Sequence, residues 1–262
     1  MSIWRLSTWR LFFILIACVI GSSSKVSAET TAETTLVIAT GELPPYVSEN
    51  RNESFLTEVL DEVAREMGVK FEFRFMPWKR CELALENQDA WGAVPYVQTP
   101  EREKKYYFSE KLFNRQAKFF SYSPEGGRKQ IPYDRLSDLK GYVIGGVRGY
   151  YYEQPLLQAG LHVELVTTDE QNFQKLKAGK VDLIPSDEVV GFYIIKKRFP
   201  MEAGNFSTLS TPLDASGDYL MTSKKYPDTQ ALLVRFNAAL KKVKENGVYQ
   251  RILDKHGVVL TY

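Results

Sequence analysis

Val69-Lys70-Phe71-Glu72-Phe73-Arg74-Phe75 alternates apolar and charged side chains with a period of two, which only a strand with two unlike faces satisfies. N-terminal to it, Leu56, Val59, Leu60, Val63 and Met67 recur at helical spacing, and Gly68 stands where such a helix stops. Further upstream, Thr35 to Thr40 (TLVIAT) is a continuous apolar run ending at Gly41, as expected of a strand buried on both faces. C-terminal to it, Pro77 opens a helix with Trp78, Cys81 and Leu85 along one face, and Ala90 to Tyr96 (AWGAVPY) reads as a third strand. The order is β-α-β-α-β.

After a break rich in glycine and charge at Tyr122 to Gln130, the same order starts again. Tyr142 to Gly146 is a strand, Tyr151 to Ala159 a helix and His162 to Thr167 a strand. Thr168 and Gln171 have capping-box spacing before a helix through Phe173 and Leu176, and Val181 to Pro185 closes the unit. Such alternation implies parallel sheets covered by helices, with ligands bound outside the carboxyl ends of the strands. Two units facing one another would share one ligand; a single large α/β domain is the alternative. Leu232, Phe236, Leu240 and Val243 then line one face of a helix that Gly247 ends, and Val248 to Leu253 adds a short second one. The expected organisation is residues 29–115 as the first segment of lobe 1, 116–212 as lobe 2, and 213–262 as a return crossover with C-terminal helices on lobe 1.

The first residues carry Arg5 and Arg10, an apolar run from Leu11 to Gly21, and a small polar stretch ending Val26-Ser27-Ala28. This is the order of a secretory signal peptide over residues 1–28, and the run is too short for a membrane span, which needs about 20 residues. Leu15-Ile16-Ala17-Cys18 offers a lipobox as the alternative, but the apolar run continues past Cys18 to a good cleavage site. Arg5, Arg10 and Lys25 leave with the signal and no acid does, so the formal charge of +2 becomes close to neutral and gives no support for nucleic acid as partner. Cys81 then remains as the sole cysteine, and no intrachain disulfide can form despite an oxidising compartment.

The chain resembles the bacterial extracellular solute-binding proteins of family 3, the polar amino acid type. The resemblance rests on Gly41-Glu42-Leu43-Pro44-Pro45-Tyr46, Pro77-Trp78, Thr99-Pro100-Glu101-Arg102 followed by Phe108-Ser109, Leu136-Ser137-Asp138-Leu139-Lys140-Gly141, Ser186-Asp187, and Leu240 through Tyr249 (LKKVKENGVY). It implies a type II periplasmic-binding-protein-like α/β fold, two lobes joined by a two-stranded hinge with the ligand cleft between them. It also implies a small-molecule ligand, an amino acid or other carboxylate, delivered by a monomer to the permease of an ABC transporter, without cofactor. By the same resemblance Arg102 grips the ligand's α-carboxylate and Asp187 its α-amino group, with Thr99 and Ser186 beside them. A guanidinium fork does match a carboxylate, and an ammonium needs an acceptor. Yet Arg102 also reads as a solvated charge beside Glu101, Glu103, Lys104 and Lys105, and Asp187 as a helix N-cap before Val189 and Val190. Tyr46, Trp78, Tyr96 and Tyr150 stand at or beyond strand ends, where rings either stack on a ligand or join the core.

Three departures open the ligand class. Pro95-Tyr96-Val97 replaces the usual Gly-x-Thr, and proline has no N–H to offer. Ser54-Phe55-Leu56 stands for Gly-Phe-Asp. Gly145-Gly146-Val147-Arg148-Gly149 brings another arginine, and Gly149 at a helix entry is a candidate anion site with Arg148 beside it. That loop lacks both the P-loop ending and the dinucleotide spacing. Two rivals remain: a ligand-loaded sensor protein for a membrane receptor, and an enzyme on the same fold. Against the second, only His162 and His256 are present, without metal spacing or a nucleophile motif.

Overall fold

A computed structural model describes Met1, residues 34–127, residues 131–258 and Leu260. The expected signal peptide and the alternative lipidation at Cys18 lie outside the described residues. Among these, no helix is long and apolar enough to cross a membrane.

In chain order the first half comprises β1 (Thr35–Thr40), α1 (Phe55–Met67), β2 (Lys70–Phe75), α2 (Trp78–Glu86), β3 (Gly92–Val97), α3 (Pro100–Glu103), β4 (Tyr106–Phe108) and β5 (Phe113–Asn114). There follow β6 (Ala117–Tyr122), β7 (Val143–Val147), α4 (Glu153–Gln158), β8 (His162–Val166), α5 (Asp169–Lys177), β9 (Ile184–Asp187), α6 (Glu188–Arg198) and β10 (Phe206–Asp214). The chain ends with β11 (Gly217–Ser223), α7 (Thr229–Glu245) and α8 (Val248–His256). Gly68 closes α1 in the left-handed conformation, its N–H donated to the carbonyl of Arg65. Thr168 caps α5 by accepting from the Gln171 N–H.

The first sheet runs β2-β1-β3-β11-β4, with β5 also on β11. Its β-α-β-α-β core is parallel, as the alternation implies, but β11 enters antiparallel between β3 and β4. The second system departs further from the parallel expectation. Only β7 and β8 pair in parallel, while β6 pairs antiparallel with both β9 and β10. A single parallel bridge, Ile144 to Leu183, ties the two pieces together. The periodicity of β6, β10 and β11 is set by antiparallel partners far along the chain, so their sequences carry no alternation with neighbouring helices.

The chain passes between the two sheet systems twice, from β5 to β6 and from β10 back to β11. These crossovers lie side by side, since Asn114 pairs with Gly217 and Ala117 with Asp214. On the outside of the first sheet, α1 packs on α7 and α8 and buries Phe55, Leu56, Val59, Leu60 and Val63 completely. At about 1.5–3 kcal/mol per buried large apolar side chain, that face alone holds the C-terminal helices in place.

Pro95 lies in a central strand, where it cannot donate to the ladder. The register with β11 shifts there: Tyr96 faces Tyr219 and Ala93 faces Met221, so two residues of β3 oppose Leu220 alone. On the opposite edge of β11, Leu220 meets Ser109 just beyond β4: the Ser109 Oγ accepts from the Leu220 N–H at 3.0 Å and the Ser109 N–H donates to the Leu220 carbonyl at 2.9 Å.

Gly191 on α6 faces the ring of Phe120, and a Cβ there would lie 2.3 Å from the ring. Helix propensity would favour alanine by about 1 kcal/mol, but forcing an atom into a packed core costs about 1–3 kcal/mol. Because Phe120 is fully buried against Phe173 and Phe192, it has little room to move. Gly191→Ala is therefore expected to lower the urea unfolding midpoint, a result checked by equilibrium denaturation.

Candidate functional site

A pocket partly open to solvent draws its walls from both sheet systems and from the crossovers. Pro95, Tyr96 and Val97 enter from the end of β3, just past the bulge, and Trp78 from the start of α2. Trp78 lies against the bare backbone of Gly41, where a Cβ would come within 2.6 Å of the ring. The Tyr96 hydroxyl donates to the Trp78 carbonyl at 2.9 Å, and the two rings meet edge to face. From the other side come Gly149, Tyr150 and Tyr151. Gly149 has φ 84°, and its close approach puts a would-be Cβ 3.1 Å from the Lys79 nitrogen, so the turn needs glycine.

Arg102 is held by its local structure. Thr99 caps the short α3 by accepting from the Arg102 N–H at 3.2 Å, with Pro100 in the first turn. The side chain, 12% exposed, then folds back. Nη2 donates to Glu82 Oε1 at 2.9 Å and to the Gly149 carbonyl at 3.3 Å; Nη1 donates to the Val97 carbonyl at 3.0 Å, and Nε also reaches Glu82. The guanidinium lies over the Tyr96 ring at 4.7 Å. Its fork is engaged by a protein carboxylate.

Arg115, on the first crossover, is engaged much less. Its guanidinium is 10% exposed and stands 3.8 Å from Asp218 and 4.0 Å from Asp187, beyond hydrogen-bond reach of either. Nη2 donates to the Tyr151 hydroxyl at 3.3 Å, the guanidinium lies over that ring, and Nε has no partner. Arg115 and Asp218 both line the pocket. Burial pushes the Asp218 carboxyl up to about 6 although Arg115 opposes the shift.

Of the residues singled out in the sequence, Arg102, Trp78, Tyr96, Tyr150 and Gly149 line this pocket, and Tyr46, Asp187, Ser186, Thr99 and Arg148 do not. Tyr46 is buried against Phe55 and Phe113, and its hydroxyl donates to Asp187 Oδ1 at 2.9 Å. That same Oδ1 caps α6 by accepting from the N–H groups of Val189 and Val190, while Oδ2 is buried without a partner. Capping and a place beside Arg115 coexist in one side chain. Ser186 is buried, its hydroxyl turned to the Asp187 carbonyl, and Thr99 is occupied as a cap. Arg148 is exposed, and the Gly149 N–H that an anion would use donates to Glu153 at 2.5 Å. Arg115, Tyr151 and Asp218 have no role in the sequence reading because none lies in a motif on which the resemblance rests. Their only sequence signal is a charge or a ring beside a crossover.

Few polar contacts bridge the two systems: Tyr46 to Asp187, Arg102 to Gly149, and Lys197 to Glu53 at 2.7 Å. The rings of Trp78 and Tyr150 meet edge to face at 6.0 Å.

Residues 36–127 match the family profile of bacterial extracellular solute-binding proteins, family 3. The chain is 25% identical over 226 residues to the L-cystine-binding protein TcyA of Bacillus subtilis, covering 82% of this chain and 78% of that protein. It is 25% identical over 258 residues to the putative ABC transporter arginine-binding protein 2 of Escherichia coli, covering 92% and 97%. Among solved structures, an ancestral arginine-binding protein bound to arginine matches with a TM-score of 0.72 at 26% identity, over 85% of this chain and 98% of that one.

The ionised Asp218 carboxylate is a liability to the fold. A carboxyl whose folded pKa lies near 6, above the ordinary 3.8, makes the folded state the better proton binder between those values. Stability is therefore highest below about pH 4 as far as this group is concerned, and is lost as the pH rises through 6. Asp218→Asn, which leaves Arg115 its Asp187 neighbour, is expected to stabilise the protein by on the order of 1–3 kcal/mol at pH 8 and by nothing at pH 4. Urea denaturation at the two pH values checks it.

Proposed function

Because the chain belongs to the bacterial extracellular solute-binding proteins of family 3, we propose that it captures an amino acid or related carboxylate in this pocket and delivers it to an ABC-type permease. Its fold is that of the type II periplasmic binding proteins. The observation that carries the reading is a pocket walled by both sheet systems, with fixed charges of both signs at Arg115 and Asp218 and rings at Trp78, Tyr96, Tyr150 and Tyr151. Rings exclude water from a small ligand's body, and the charges orient its polar ends.

In this reading residues 29–115 and 213–262 form one lobe and 116–212 the other, and the lobes rock about the paired crossovers. Polar bridges between the two systems are few, and a ligand supplies further contacts on closure. The protein acts as a periplasmic monomer and binds without turnover. The relatives' names, arginine-binding and L-cystine-binding, support an amino acid as the ligand class, and an ABC transporter as the destination.

A thermal-shift screen against amino acids, diacids and amines is expected to find at least one stabilising amino acid, since a ligand at hundredfold excess over its Kd adds roughly 2.7 kcal/mol. The same ligand is expected to lower the radius of gyration in small-angle scattering. No stabiliser among the amino acids would sink the reading. Residues 1–28 act as a cleaved signal peptide in this proposal, and mass spectrometry of the exported protein is expected to find Glu29 at an unlipidated N-terminus.

A further inference from the structure

We propose that Asp169 is a positioning residue for the pocket: it takes the hydroxyl of Tyr150 and so fixes that ring, in the second sheet system, as the surface that meets Trp78 of the first. This rests on the solute-binding reading above and gives that site a residue that does not itself line the pocket.

Tyr150 stands where the second system comes close to the first. Its neighbour Gly149 approaches the backbone of Lys79, and the Gly149 carbonyl accepts from Arg102 at 3.3 Å. The Tyr150 ring packs on two apolar clusters, one containing Trp78, Tyr96 and Cys81, the other Phe119, Tyr152 and Leu156. It meets Trp78 edge to face, with 81° between the planes, and Tyr152 at 5.4 Å between centroids. Such a pair depends on orientation, because the edge of one ring must stay directed at the face of the other. Tyr150 lies on the turn between β7 and α4 and is half-buried, so the backbone alone leaves other rotamers open to it.

The constraint comes from α5. Asp169 opens that helix behind the Thr168 cap, and its Oδ2 accepts from the Tyr150 hydroxyl. Tyr150 is the one side-chain donor to this carboxylate among the described residues. Asp169 is 8% exposed, and burial pushes its carboxyl up to about 6. An acid in the first turn is favoured by the helix dipole, but an exposed acid gains that without the cost of desolvation. The ring it holds accounts for the buried one. Tyr152 backs the arrangement, its own hydroxyl fixed by the Val147 N–H at 3.2 Å. With its hydroxyl held and Tyr152 behind it, Tyr150 is ordered before a ligand arrives, and closure does not have to order it.

Trp78 and Trp91 are the tryptophans after residue 28, and Trp91 is fully buried against Phe71 and Phe236, so Trp78 emission reports on its contact with Tyr150. In the ligand-free mature chain at pH 8, Asp169→Ala and Tyr150→Phe are each expected to shift the emission to longer wavelength. The double variant is expected to go no further than either single one, since the two side chains act as a unit. Neither shift is expected on a Trp78→Phe background, and Asp169→Asn, which keeps an acceptor oxygen, is expected to hold the wild-type emission. Calorimetry with L-arginine and L-cystine as probes is expected to show about tenfold weaker binding in Asp169→Ala and in Tyr150→Phe, the order of a lost hydrogen bond to a charged group. Asp169→Asn is expected to recover the affinity to within about threefold.

An unshifted emission in Tyr150→Phe, additive losses in the double variant, or an Asp169→Asn as impaired as Asp169→Ala overturns the positioning role and leaves Asp169 a helix-terminal acid. Should Asp169→Ala fail to fold by circular dichroism, Tyr150→Phe and Asp169→Asn decide. A folded wild type that binds neither probe counts against the amino acid reading alone, because the emission series decides the positioning role without ligand.

Discussion

One buried guanidinium, that of Arg115, stands between Asp187 and Asp218 where the chain passes twice between its two sheet systems. Asp218 belongs to the returning strand, and Asp187 belongs to the second system and is reached by Tyr46 from the first. A single positive charge thus ties together both crossovers and both systems. Its attraction acts at 3.8 to 4.0 Å, without the directional demand of a hydrogen bond. Such a link holds the crossovers side by side while leaving Arg115 Nε and Asp187 Oδ2 without hydrogen-bond partners.

The same arrangement relates stability to function. Arg102 and Glu82 form a well-made pair that locks α3 onto α2 and the end of β3, so the pocket wall is rigid before any ligand arrives. The crossover charges are left incompletely satisfied, which is unfavourable for the folded chain by itself. Rings fill the space between. Tyr96 and Tyr151 each carry an arginine on one face, so the aromatic lining positions guanidinium groups as well as excluding water.

The architecture is reached through local solutions to local problems. Pro95 cannot donate within β3, and a bulge against β11 absorbs the defect just before Tyr96 and Val97 reach the pocket. Gly149 lets the second system's loop approach the backbone at Lys79, where any side chain would hold it away. Both set where the contacting groups stand.

Wherever a residue's structure is dictated by neighbours a few positions away, it was legible in the sequence. The alternation of Val69 to Phe75, the helical spacing from Leu56 to Met67, the stop at Gly68 and the cap at Thr168 all follow from strand and helix geometry. So did the position of Trp78 and Tyr96 at the ends of elements that open on the cleft. What only tertiary structure decided is pairing across distance. That β11 enters antiparallel beside β3, that Glu82 claims Arg102 from the neighbouring helix, and that Asp187 and Asp218 converge on Arg115 depend on segments brought together by packing. A charge in a sequence announces that it needs a partner; which partner it finds is a property of three-dimensional distance, and no periodicity encodes that.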